Sequence, residues 1–232
     1  MKVFAISDLH LSTTADKPMD IFGTGWTDYM ERISEDWKEK VSEEDVVLIA
    51  GDISWAMTLS GALPDIGVFA ALPGKKVVIR GNHDYWWHSV SRIREAVPEG
   101  VYVLQNDAIR LENVVFAGSR GWKLPGTPGY SEKEDAFYVA RETERLKLGF
   151  KAAETLKKEG DVLIALLHYP PFNARREDSP FTEVFEKNGV QKVVYGHLHG
   201  KDSRADLLVN KNGVEYYLTS CDLVENRLVR IL

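Results

Sequence analysis

The stretch Met1-Lys2-Val3-Phe4-Ala5-Ile6-Ser7-Asp8-Leu9-His10-Leu11 carries the reading on which the fold turns. Its first half is apolar on successive positions, the pattern of a β-strand covered on both faces. The apolar run ends at Ser7 and Asp8, too soon for the core of a signal peptide. A carboxylate and an imidazole then follow two residues apart. In extended chain, positions i and i+2 point the same way, so Asp8 and His10 are expected to aim at one place.

The same grammar, an apolar strand ending in polar residues, recurs along the chain. Strands are expected at Lys2 to Ile6, Val46 to Ala50, Lys76 to Arg80, Val114 to Gly118, Val162 to Leu167 and Lys192 to Tyr195. Helical patterns separate them, around Met30 to Val41, Tyr85 to Ala96 and Glu132 to Glu159, and this alternation indicates an α/β chain. The stripe Leu146, Phe150, Ala153 and Leu156 on the third helix reads as core packing. After residue 205 the pattern changes to short strands, with Asn212-Gly213 as a hairpin turn. No repeat and no Pro/Gly/Ser linker divides the chain, so residues 1–232 are expected to form a single domain.

Five segments stand at strand ends: Asp8-Leu9-His10, Gly51-Asp52, Gly81-Asn82-His83-Asp84, His168, and Gly196-His197-Leu198-His199. Ligands of open α/β sheets sit beyond the carboxyl ends of the strands. Glycine precedes Asp52, Asn82 and His197, which permits a sharp turn or close backbone approach. Five of the six histidines fall in these segments, and only His88 lies outside them. Each piece alone is weak, since a lone strand-end histidine is more often packed than ligating. Together they offer carboxylate, imidazole and amide donors, a set suited to Mn, Fe or Zn.

The ordered series DLH, GD, GNHD, a lone His after a buried strand, and GHLH resembles the calcineurin-like metallophosphoesterase superfamily, in the style of its bacterial phosphodiesterase-like branch. The resemblance runs from Asp8 to His199 and implies an α/β sandwich of two mixed β-sheets flanked by helices. It further implies two divalent metal ions. Asp8, His10, Asp52 and His199 would hold one, and Asn82, His168 and His197 the other, with Asp52 bridging. A hydroxide shared by the ions would then attack phosphorus in line. His83 would donate to the leaving oxygen, and Asp84 would either orient His83 or cap the helix that follows. The Gly51-Asp52-Ile53-Ser54-Trp55 segment lacks the Asp-Arg pair with which Ser/Thr protein phosphatases continue this motif, which argues against a close relative of those enzymes.

Specificity is expected in the loops over the metals. The segment from Ser12 to Tyr29 is long and aromatic, and Arg120, Trp122 and Arg175 follow strands as candidate substrate contacts. The bland alternative for each is loop packing with a solvated charge. Net charge is −6, which disfavours a protein that grips long nucleic acid. The single cysteine, Cys221, excludes a disulfide framework and a cysteine zinc site. No apolar run reaches the roughly 20 residues that span a bilayer, so the expectation is a cytoplasmic enzyme with no membrane partner. The leading reading is a hydrolase of small phosphodiesters or phosphomonoesters. A nuclease acting on single strands or ends is the alternative, and a non-catalytic scaffold with the same fold is disfavoured because every ligand position is filled.

Overall fold

The computed structural model describes residues 1–200, 203 and 205–232. Eleven strands among them form two sheets. The first comprises β1 (Val3–Ile6), β2 (Val46–Ile49), β3 (Lys75–Val78), β4 (Val101–Val103) and the last strand, β11 (Val229–Arg230), in the order β11-β1-β2-β3-β4. The second comprises β5 (Ala108–Leu111), β6 (Val114–Ser119), β7 (Val162–Leu167), β8 (Lys192–Tyr195), β9 (Leu208–Lys211) and β10 (Val214–Leu218), in the order β5-β6-β7-β8-β10-β9. Both are mixed: β11 is antiparallel to β1, β5 to β6 and β9 to β10, while the other pairs are parallel.

Strand alternation explains how the layers separate. Val3 and Ala5 of β1, with Val46 and Leu48 of β2, face inward against Val114 and Phe116 of β6. Phe4, Ile6, Val47 and Ile49 face outward and pack under α1 (Tyr29–Lys40), α2 (Leu59–Ala70) and α3 (Val90–Ala96). On the far side, Val115, Ala117, Leu163 and Ala165 pack under α4 (Glu132–Leu156) and α5 (Pro180–Lys187). A strand with a helix on one face and a sheet on the other must be apolar on every residue, which is why β1, β2 and β6 are buried throughout. The architecture is the expected sandwich of two mixed sheets flanked by helices. No described helix is long and apolar enough to cross a membrane.

Helix boundaries differ from the sequence pattern in informative places. α2 contains Pro64 and two glycines, which mask its periodicity; burial of Ala62, Ile66 and Phe69 stabilises it nonetheless. α5 is short and begins with a reciprocal cap between Ser179 and Thr182 around Pro180. The helix expected from Tyr85 starts only at Val90, because Trp86 and Trp87 are buried and their indole N–H groups are tied to Asp84 and Gln105. Asp84 therefore caps no helix; the cap position is Ser89. His88 is exposed just ahead of α3 rather than inside it. Leu146, Phe150 and Ala153 are core as expected, whereas Leu156 ends α4 at 36% exposure. Asn212 and Gly213 join β9 to β10 with φ of 51° and 80°, the left-handed pair of a tight hairpin turn.

Candidate metal centre

The carboxyl ends of β1, β2, β3, β7 and β8 lie side by side along one edge of the sandwich, and each delivers polar side chains to one spot. Asp8, His10, Asp52 and His168 are buried there. Ligand atoms of Asp8, His10 and His199 all lie within 4.8 Å of one another, and so do those of Asp8, Asp52 and His168. The His168 Nε2 atom is 3.5 Å from Asp52 Oδ2, and His199 Nε2 is 3.5 Å from Asp8 Oδ1. Asn82 Oδ1 lies 2.7 Å from His168 Nε2 and 2.8 Å from His197 Nδ1. All seven residues singled out as ligands therefore meet.

Convergence is not achieved by extended chain. Asp8, His10, Asp52 and His197 have φ of 58°, 45°, 51° and 73°, in the left-handed region, so Asp8 and His10 meet as expected but through a different geometry. Asp and His tolerate this region better than branched residues, yet it still costs on the order of 1–3 kcal/mol per residue, and such strain gathers at functional sites. Two glycines make room for it. A Cβ on Gly81 would land on the Asp52 carboxylate and backbone nitrogen, and one on Gly196 would land on Asp8 Oδ2 and Ser7 Oγ.

Electrostatics point to a cationic occupant. Burial holds the imidazoles of His10 and His197 down to about 3 and that of His168 to about 4, so all three are neutral at neutral pH, the form that ligates metal. His168 Nδ1 lies 2.9 Å from the Ala50 carbonyl and must donate to it. That leaves the Nε2 lone pair facing the oxygen of Asn82, two acceptors opposed at 2.7 Å. Burial raises Asp52 well above its ordinary range, and the neighbouring Asp8 and Asp84 carboxylates raise it further. His10 Nδ1 is buried without a partner. A divalent cation among these atoms would relieve both the opposed acceptors and the carboxylate repulsion. For His199, burial is outweighed by hydrogen bonds to Asp222 and Asp8, and its imidazole rises to about 10.

Several supporting residues were not singled out in the sequence. Asp222 Oδ1 lies 2.9 Å from His199 Nδ1, a carboxylate behind an imidazole that fixes its orientation. Ser7 and Ser220 donate to Asp8. Trp55 stacks on His10 at 4.8 Å between ring centroids and lies 4.6 Å from His83, while Trp26 stands 5.9 Å from His199. Trp26 belongs to the long aromatic loop already noted; Trp55 had a signal in its position three residues after Asp52. His83 is half-buried beside this aromatic wall, and its backbone N–H donates to Asp52 at 2.8 Å.

The remaining candidates have partners of their own. Asp84 makes no hydrogen bond to His83. Its buried oxygens accept from the N–H groups of Ile53, Ser54 and Gly81 and from the Trp86 indole, so it ties the β2 and β3 loops together. Arg175 pairs with Glu177 at 3.0 Å on the exposed surface. Trp122 packs against α4, stacked on Tyr138 at 4.5 Å, with its indole N–H donated to Asp135. The Arg120 carbonyl accepts from the backbone of His168 and Tyr169, but its side chain lies over Trp122 and points toward Glu142. Burial lowers the Arg120 pKa; Glu142 opposes this, and Arg80 and Arg141 lower it further.

A family model described as calcineurin-like phosphoesterase matches residues 1–201. The chain belongs to that family. By its description, that family is one of phosphoesterases. A curated relative, the Gene 66 protein of Mycobacterium phage D29, is 38% identical over 82 residues, which are 35% of this chain and 40% of the phage protein. The match thus spans less than half of that relative. Among solved structures, TT1561 of Thermus thermophilus superposes with a TM-score of 0.61 at 11% identity, covering 99% of this chain and 97% of that one. The protein of unknown function AQ665 from Aquifex aeolicus gives 0.50 at 15% identity, covering 99% and 95%. At these identities the two structures speak for the fold alone.

Proposed function

We propose that this calcineurin-like phosphoesterase hydrolyses small phosphodiesters or phosphomonoesters at a centre of two divalent ions. Asp8, His10, Asp52 and His199 would hold one ion, Asn82, His168 and His197 the other, with Asp52 between them. The observation that carries the reading is the meeting of seven donors from five strand ends, with the neutral His168 lone pair turned toward the oxygens of Asn82 and Asp52. The mixture of donors suits Mn, Fe or Zn. Ions bound there supply Lewis acidity, which neutralises phosphoryl oxygens and makes water a competent nucleophile at neutral pH.

The chain's own residues do the rest. The Ala50 carbonyl and the Asp222 carboxylate fix the orientations of His168 and His199. Asp84 clamps the Ile53-Ser54 and Gly81 backbones, holding Asp52 and Asn82 at a constant separation. Trp55 and Trp26 exclude water from one side of His10. His83, close to His10 with ring centroids 5.6 Å apart, is the group that donates a hydrogen bond or proton to the leaving oxygen. The core shared by both sheets supports reading residues 1–232 as one domain.

The test is hydrolysis of p-nitrophenyl phosphate and bis-p-nitrophenyl phosphate with Mn²⁺, alongside measured metal content. Asp52→Asn should lose bound metal and turnover together. His83→Ala should keep its metal while kcat falls about 10²–10⁴-fold. Undiminished turnover in Asp52→Asn would refute the centre, and undiminished turnover in His83→Ala would remove that residue from the reaction.

A further inference from the structure

Beside the metal centre is a cavity of about 340 Å³ that none of the proposed steps uses. It opens at the same strand edge, bridging the two sheets. Arg80 enters from the end of β3, two residues before Asn82, and Arg120 from the end of β6, where its carbonyl holds the His168 backbone. Arg141 and Arg145 enter from α4. At up to about 3.6 Å of chain per residue, Arg80 and Asn82 have Cα atoms no more than roughly 7 Å apart. That spacing lies within the span of a small molecule.

The charges in this cavity do not balance. Four guanidiniums face one carboxylate, Glu142, an excess of three positive charges in a protein whose net charge is −6. Glu142 is 1% exposed and already saturated: Ser119 Oγ donates to it at 2.9 Å, Arg145 at 2.7 Å and Arg141 at 3.1 Å, with Arg120 at 4.0 Å. Arg80 has no carboxylate partner among the described residues, and the Nε atoms of Arg80 and Arg141 are buried without an acceptor. Stacking pre-orients two of the four, Arg120 over Trp122 at 4.6 Å and Arg141 over Tyr138 at 4.7 Å. A purely structural ion cluster would be expected to pair its charges, because like charges held together oppose folding. Rigid guanidinium forks around a gap fit a ligand with several anionic oxygens on one centre.

We infer that this arginine pocket binds a phosphoryl group, and that the preferred substrate is a small phosphate ester carrying a second phosphoryl group, one seated at the metals and the other among Arg80, Arg120, Arg141 and Arg145. The assignment to substrate rests on the hydrolase reading above, whereas the pocket itself does not.

Calorimetric titration with inorganic phosphate separates the two. In the Asp52→Asn protein, whose metal centre is impaired, one phosphate site should persist. Adding Arg80→Met should weaken it at least tenfold. Arg145→Met, which leaves Glu142 paired with Arg141, probes the same pocket should Arg80→Met fail to fold. Loss of all phosphate binding in Asp52→Asn, or no weakening by either arginine variant, would overturn the pocket. Kinetics then identify the source of the phosphoryl group. The ratio of KM for adenosine 3′,5′-bisphosphate to KM for p-nitrophenyl phosphate should rise at least tenfold in Arg145→Met. An unchanged ratio with phosphate binding lost would overturn the substrate assignment and leave a site for free phosphate. Absence of hydrolysis in the wild-type protein, with phosphate binding intact, would refute the hydrolase reading instead.

Discussion

Gly81 separates the metal centre from the rest of the fold more sharply than any ligand does. In Gly81→Ala the new methyl would clash with both Asp52 Oδ1 and its backbone nitrogen and lie 2.7 Å from Asp52 Cγ. Neither neighbour can yield cheaply. The Asp52 carbonyl accepts from His10 N–H at 2.9 Å, and Gly81 N–H is itself held by Asp84 at 2.7 Å. Overpacking of this kind costs about 1–3 kcal/mol. Replacing glycine returns about 0.4–1 kcal/mol by stiffening the unfolded chain. At the midpoints of these ranges the net loss is roughly 1.3 kcal/mol, a fall in Tm of roughly 3–5 °C for a chain of this size. Function should suffer more, since displacing a reacting group by about 1 Å costs on the order of 10²-fold in rate. Gly67→Ala is the internal control: Gly67 lies in α2, nothing is within 4 Å of its Cβ position, and up to about 1 kcal/mol of helix propensity is available. Its Tm should rise slightly with metal content and turnover unchanged. Scanning calorimetry, elemental analysis and kcat/KM on p-nitrophenyl phosphate give the three readings. Wild-type metal content and turnover in Gly81→Ala would refute the idea that this close approach sets the position of Asp52.

Three further outcomes are expected. Asp222→Asn should weaken metal binding or activity about 10–100-fold while leaving the fold intact, and unaltered metal affinity would deny Asp222 its role behind His199. Asp84→Asn puts an amide where four N–H donors converge, so at least one donor loses its acceptor at about 1–3 kcal/mol; an unchanged Tm would contradict that network. Hydrogen bonding to Arg110, helped by the Lys158 N–H, holds the Asp161 carboxyl down to about 2. Because that value is depressed in the folded state, its contribution is complete above roughly pH 4, the unfolded value, and vanishes as pH falls through about 2. Arg110→Ala should therefore lose less stability between pH 4 and pH 2 than the wild type does. Parallel urea midpoints across that window would sink the prediction.

Much of the candidate site was readable in the chain because metal chemistry restricts residue type. Imidazoles, carboxylates and an amide after apolar runs have few bland explanations when they recur in order. What failed was local geometry. Asp8 and His10 converge through left-handed backbone, not through extended chain, while the segment stays hydrogen-bonded to Gly51, Asp52 and Ile53. Asp84 reads from the sequence as a catalytic or capping carboxylate, but two of its four N–H donors, Ile53 and Ser54, lie some thirty positions earlier and cannot be anticipated from its neighbours. The aromatic and charged loop residues divided in the same way: Trp55 reached the centre, whereas Trp122 and Arg175 found partners in their own vicinity.

By itself, then, the sequence determined the strand-helix alternation, the burial of the strands and the identity of the residues gathered at their ends, since apolar periodicity and donor chemistry are properties of short segments. The tertiary structure alone decided which carboxylate stands behind which imidazole, and that Arg80, Arg120, Arg141 and Arg145 share one cavity. Those relations join elements as far apart as β3 and α4, and long-range packing sets them; no local pattern encodes the distance between two side chains that meet only when both sheets have closed on each other.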